Sequence, residues 1–239
     1  MAVETAPRPN GLKTAWDTIV APKEAFTSLR IAPTWGWALL IVVVVGMLAS
    51  YLVTPAIIHG LTADWPNMVA KNPALSGLTA DQQQAQLSVV EKVAALGWIF
   101  SPLIYAVWAL LGAVVLLVFN ALGHGDGTFA KYWAAQWNIA LVTVLGSVAV
   151  AVIVFVRAVD SFNSSVAVQT AVPSLAMLVP ATSVKLHTFL AFFTPFSLWA
   201  TGLEIAALAT IGNVPRIPAW LGGILTLLLP AIVLGALAR

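Results

Sequence analysis

Between Arg30 and Asp64 the chain contains no Asp, Glu, Lys or Arg. Charged residues are kept out of membrane spans because Asp, Lys or Arg at a helix centre costs roughly 2.5–3.5 kcal/mol. Similar windows follow between Lys92 and Asp126 and between Lys131 and Arg157. Two further apolar stretches run from His187 to Ile211, with Glu204 as their one acid, and from Ala219 to Ala238. The windows predict an all-α membrane protein with five spans, at about 35–58, 96–122, 133–155, 187–211 and 219–238. Each has about the 20 residues that a hydrocarbon core of ~30 Å requires. Composition agrees: 60% of the 239 residues are hydrophobic and 8% are charged, against about 25% charged in ordinary globular domains.

Several function classes drop out early. A net charge of +2 is no nucleic-acid footprint, which needs a clustered basic face. With no cysteine, thiol catalysis, disulfides and cysteine metal sites are excluded. No cofactor and no metal is expected, and the bilayer itself is the expected partner.

The stretch "VAVQTAVPSLAMLVPA", residues 166–181, is apolar but short, and Pro173 and Pro180 break it. Re-entrant or surface-lying structure is expected there. The connection 59–95 begins turn-rich in "TADWPNMVAKNPALSGL". A helix then starts at Thr79, with Gln82 as capping-box partner, and runs into the second span. Five spans put the two ends of the chain on opposite faces. Lys23 and Arg30 flank the first span at its start, and no basic residue follows until Lys71, so the N-terminus is expected inside.

Residues 1–13 are expected to be a flexible N-terminus, 14–30 an interfacial amphipathic segment, and 31–239 the five-span domain. In "WDTIVAPKEAFTSLR", residues 16–30, Trp16, Ile19 and Val20 share one helical face. Pro22 suits the first turn of a second short helix carrying Phe26 and Leu29. These six residues are the candidate interfacial docking face. They serve either as a juxtamembrane anchor or as a surface for another membrane or peripheral protein.

A Trp, an apolar pair, a Pro and a Phe ahead of the first of five spans resembles the bacterial branch of the Yip family, the Ypt/Rab-interacting membrane proteins. "ALGHGDGTFAKYW", residues 121–133, is similar to that family's glycine-containing turn before its third span. "FFTPFSLWATGLEIAALATIG", residues 192–212, is similar to its fourth. The resemblance covers residues 14–237. It implies a five-helix bundle in the bacterial inner membrane with a cytoplasmic N-terminus, and no established reaction. Eukaryotic members of the family act in vesicle traffic and contact small GTPases.

Candidate chemistry is sparse. "GHGDG", residues 123–127, lacks phosphate-loop spacing and follows an apolar helix, so it reads as a tight turn. His124 and Asp126 are too few for a metal site. His59 and His187 lie at span ends, and no catalytic residues are assigned. Glu204 is the exception, because an ionisable residue within a span is a functional candidate. It lies about 10 Å from the inner end of its span at about 1.5 Å per residue. Asn120, Gln136 and Asn138 fall in the same third of the membrane and complete a candidate polar cluster with it. The cluster reads either as interhelical polar contact or as part of a substrate or proton path. Pro102, Pro195 and Pro230 are expected to kink their spans, Pro195 most of all, with Thr194 and Ser197 beside it.

The expected function is a non-enzymatic scaffold or partner-docking protein in membrane organisation or traffic. The alternative is a small transporter or lipid-handling protein built around Glu204. An open cavity at Glu204 favours the alternative, and a filled bundle favours the scaffold.

Overall fold

The computed structural model describes residues 9–179 and 183–237. Two short helices come first, α1 (Gly11–Val20) and α2 (Pro22–Ile31). Asn10 caps α1, its Oδ1 accepting from the backbone N–H groups of Leu12 at 3.0 Å and Lys13 at 3.3 Å. Pro22 opens α2 at a position where its missing N–H is harmless. Residues 11–13 are therefore helical, where a flexible terminus is expected; residues 1–8 lie outside the described residues.

The long elements follow: α3 (Gly36–Lys71), a single turn α4 (Pro73–Ser76), α5 (Ala80–Leu122) and α6 (Phe129–Arg157). At about 1.5 Å per residue, α3 is about 54 Å long and α5 about 64 Å. Both exceed a hydrocarbon core of ~30 Å. Their surplus forms an antiparallel hairpin beyond the bundle. The turn-rich reading of residues 62–78 is corrected over 62–71, because α3 continues unbroken through Pro55 and Pro66 to Lys71. Pairing with α5 overrides the local turn signals. Trp65 and Leu87 are buried, Thr62 Oγ1 donates to Glu91 Oε1 at 2.8 Å, and Gln83 Nε2 holds the tip through Leu75 O and Leu78 O at 3.1 Å each. The capping box of Thr79 and Gln82 starts α5.

α6 is the central helix. It packs against α1, α2, α3, α5 and α9 (Pro195–Ile211), and every residue from Ala134 to Val142 is buried. After α6 the chain turns through Ala158, makes a 3-10 turn at Val159–Ser161, and forms α7 (Ser165–Gln169) and a second 3-10 turn at Leu175–Leu178. Thus 166–179 is not a through-going helix. Phe162 and Val168 cluster with Ala49, Val53 and Ala56 of α3 and with Ala151 and Val154 of α6. Residues 180–182 lie outside the described residues.

The expected fourth span is two helices, α8 (Val184–Ala191) and α9, bent by 56°. Pro195 does not kink a continuous helix. It begins a new one, for Thr194 and Ser197 form a reciprocal capping box at the break. Last comes α10 (Arg216–Leu237), with Pro230 inside it. Among the described residues no strand occurs. Four helices are long and apolar enough to cross a membrane, or five if the bent pair counts as one.

The near face, which carries α1 and α2, is fastened by polar contacts. Asn120 Oδ1 accepts from the Tyr132 hydroxyl at 2.8 Å and from Gly127 N–H at 3.0 Å. Its Nδ2 donates to Gly125 O at 3.1 Å and Gly127 O at 3.2 Å. Asp126 N–H reaches Gly212 O at 2.9 Å, which joins the α5–α6 loop to the α9–α10 loop. A Cβ at position 212 would collide with the Tyr132 hydroxyl and Asn120 Oδ1, so only glycine fits there. Arg30 closes the arrangement from α2. Its Nη2 pairs with Asp126 Oδ2 at 2.7 Å, and its Nη1 donates to Thr210 O and to Asn213 Oδ1.

Candidate functional site

Glu204 sits on α9, one helix from the bundle axis, and is buried. Gln136 Nε2 on α6 donates to its Oε1 at 3.2 Å. Thr226 Oγ1 on α10 donates to its Oε2, with Gly223 O at 2.6 Å as an alternative acceptor. The carboxyl thus joins three helices, standing on α9 and accepting from side chains of α6 and α10. Gln136 reaches it by lying across Gly112 of α5; a Cβ there would stand 2.6 Å from Gln136 Cδ and Oε1.

The four residues of the expected polar cluster are not one site. Gln136 meets Glu204, whereas Asn120 belongs to the near-face network. Asn138 Nδ2 donates to Thr34 O at 3.0 Å and to Ala134 O at 2.8 Å, beside the start of α3. Two residues along a helix is a turn of about 200°, so Gln136 and Asn138 necessarily point to different sides. Thr226 is the partner that sequence reasoning missed. It lies about 15 Å from the near end of α10 by helix rise, a depth similar to that of Glu204, and this was its only signal.

Glu204 opens onto a cavity of about 460 Å³ between α5, α6, α9 and α10. The volume is within the range of small-molecule pockets, about 300–1,000 Å³. Its walls are mainly apolar. Tyr105, Trp108 and Phe192 supply aromatic surface. Ile104, Trp108 and Leu111 reach the outer surface of the bundle at mid-helix, so the opening lies on an apolar flank. Three of the hydroxyls on the wall are bound to main-chain carbonyls nearby. Ser101 Oγ donates to Trp98 O at 2.9 Å, Thr201 Oγ1 to Ser197 O at 2.9 Å, and Ser197 Oγ to Phe192 O.

The expected docking face is also divided. Phe26 and Leu29 are fully buried, with α2 packed against α6 and α9. Pro22 and Ile19 are half-buried. Trp16 is 63% exposed and Val20 56%. The small residues of α1, Thr14, Ala15 and Thr18, are those that approach the bundle, and this turns Trp16 outward. Asp17 is buried beside them and accepts from Lys13 Nζ at 2.6 Å. That hydrogen bond holds the Lys13 ammonium above the usual lysine range, opposed by a smaller desolvation effect.

Fold and site together define an all-helical protein with four to five helices of membrane-crossing length and a buried carboxyl on a lateral cavity. No family model matches the chain, and no curated protein or solved structure matches it.

Proposed function

We propose that this chain is a five-span integral membrane protein of the bacterial inner membrane that binds small amphiphiles from the bilayer in the Glu204 cavity. Its role is lipid handling or transport, and it is not an enzyme. In this reading the bent pair α8–α9 is the fourth span, and the face carrying α1 and α2 is cytoplasmic. Trp16, Val20 and Leu12 lie at the lipid interface, where tryptophan is favoured. The observation that carries the proposal is the cavity of about 460 Å³ with a carboxyl in its wall and an apolar opening. A filled bundle would have favoured the scaffold. Interhelical polar contact alone explains the bonds of Glu204 to Gln136 and Thr226, but it does not explain the space beside them.

Thr143 lines this cavity on α6. Protein extracted with native lipid and weighed by native mass spectrometry should carry a small bound amphiphile, which Thr143→Phe displaces by filling the space. Identical bound masses in the native protein and the variant would refute the proposal.

A second reading is favoured by the outward Trp16 and Val20, which leave α1 an apolar face not used in packing. Under it the chain is a Yip-like scaffold that docks a membrane or peripheral protein on α1. Trp16→Ala should then abolish co-purification of that partner and leave amphiphile binding intact.

A further inference from the structure

The polarity of the cavity has a definite sign. Both Glu204 oxygens receive hydrogen bonds, but Gln136 and Thr226 are neutral donors and do not balance a carboxylate. Among the described residues no Lys or Arg nitrogen lies within 4.0 Å of Glu204, and no Lys, Arg or His lines the cavity. The hydroxyl protons of Ser101, Ser197 and Thr201 point to main-chain carbonyls, which leaves oxygen lone pairs for the interior. A hydroxyl has one proton to give, so these three accept from the interior and do not donate to it. Trp108 and Phe192 add aromatic surface, and aromatic faces attract cations.

An anionic headgroup would find no Lys, Arg or His in the cavity wall to pair with among the described residues. A cationic one would favour the ionised form of Glu204, in a medium where charge attraction is stronger than in water. Space limits the ligand as well. At about 460 Å³ the cavity is in the small-molecule range of about 300–1,000 Å³. That accommodates a compact apolar body and excludes a whole two-chain lipid.

We propose that the ligand class of this cavity is the lipophilic organic cation. Its ammonium group sits against Glu204 and the aromatic faces, and its apolar body lies along Ile104 and Leu111 towards the opening. This rests on the reading of the cavity as an amphiphile site.

Two probes of the same shape test it. Benzyltrimethylammonium carries one positive charge, and neopentylbenzene replaces its nitrogen with carbon. Binding of each is measured to the full chain in lipid nanodiscs, with empty discs as the reference. The charged probe has no N–H to donate and should bind at least about tenfold more tightly through charge attraction and cation–π contact alone. Glu204→Gln should remove that difference, and Thr143→Phe should weaken both probes. Equal binding of both probes, each blocked by Thr143→Phe, would overturn the cationic assignment and leave the amphiphile cavity standing. Absence of binding by either probe would overturn both. The comparison on the native protein decides the matter even if Glu204→Gln does not fold.

Discussion

Asn120→Ala should loosen the whole near face. The side chain makes four hydrogen bonds, to Gly125 O, Gly127 O, Gly127 N–H and the Tyr132 hydroxyl. At about 0.5–1.5 kcal/mol net for each, their loss amounts to roughly 2–6 kcal/mol. The Tyr132 side chain is fully buried, so its hydroxyl would be left without a partner and water could not readily replace it. A destabilisation of about 4 kcal/mol is therefore expected. Tyr132→Phe removes one bond and leaves Asn120 with three, so it should cost about 1 kcal/mol. The double variant should cost no more than Asn120→Ala alone, because the Tyr132 bond is already lost. The assay is equilibrium unfolding in mixed detergent micelles, with backbone exchange at Asp126 and Gly127 as the local probe. If Asn120→Ala lies within about 1 kcal/mol of the native protein, or if the two single effects simply add, Asn120 is not the organiser of these loops.

The N-terminal helices give a paired comparison. Phe26→Ala should cost about 3–5 kcal/mol, as for other buried phenylalanines, while Trp16→Ala should change the folding of detergent-solubilised protein by no more than about 0.5 kcal/mol; similar effects for both in the same unfolding assay would show that α2 is not docked as described. For topology, single cysteines at positions 13 and 71 should react with an impermeant maleimide from opposite faces, since the native chain has no thiol to give background. Labelling of both from one face would remove the five-span arrangement.

The positions of the long helices were legible because exclusion of charge from lipid is a severe rule, and Arg30, Lys92, Lys131 and Arg157 mark its limits. The start of α5 was legible because a capping box is a local device, complete within residues 79–82. The length of α3 was not. Asp64, Pro66 and Asn67 are turn-type residues, and only the pairing of α3 with α5 keeps them helical. At the site, counting depth along helices put Gln136 level with Glu204, and their side chains lie 3.2 Å apart. Depth alone could not tell Gln136 from Asn138, since that depends on which side of α6 meets α9. Nor could it show that Asn120 turns into the loop that follows it. Thr226 was hidden because a lone threonine in an apolar helix is unremarkable until something stands opposite it. The break before Pro195 was visible as a place and not as a form: proline with hydroxyl neighbours suits a kink as well as a helix start.

The two ends of the bundle differ in what holds them. Arg30, Asn120, Asp126 and Tyr132 rivet one end with directional bonds that fail abruptly when stretched. The other end is divided: Thr62, Gln83 and Glu91 tie the α3–α5 hairpin, whereas α8, α9 and α10 meet there at the α8–α9 break and beside Pro230. A body built this way would deform most readily by α9 and α10 splaying, like one arm of a pair of tweezers, away from the tied hairpin about the riveted end. Tilting a helix by about 10° over a ~30 Å core would move its free tip by about 5 Å and its riveted tip hardly at all. Glu204 lies nearer the pivot than the tips, so the jaws could part for a passing guest while the carboxyl that grips it stays in place.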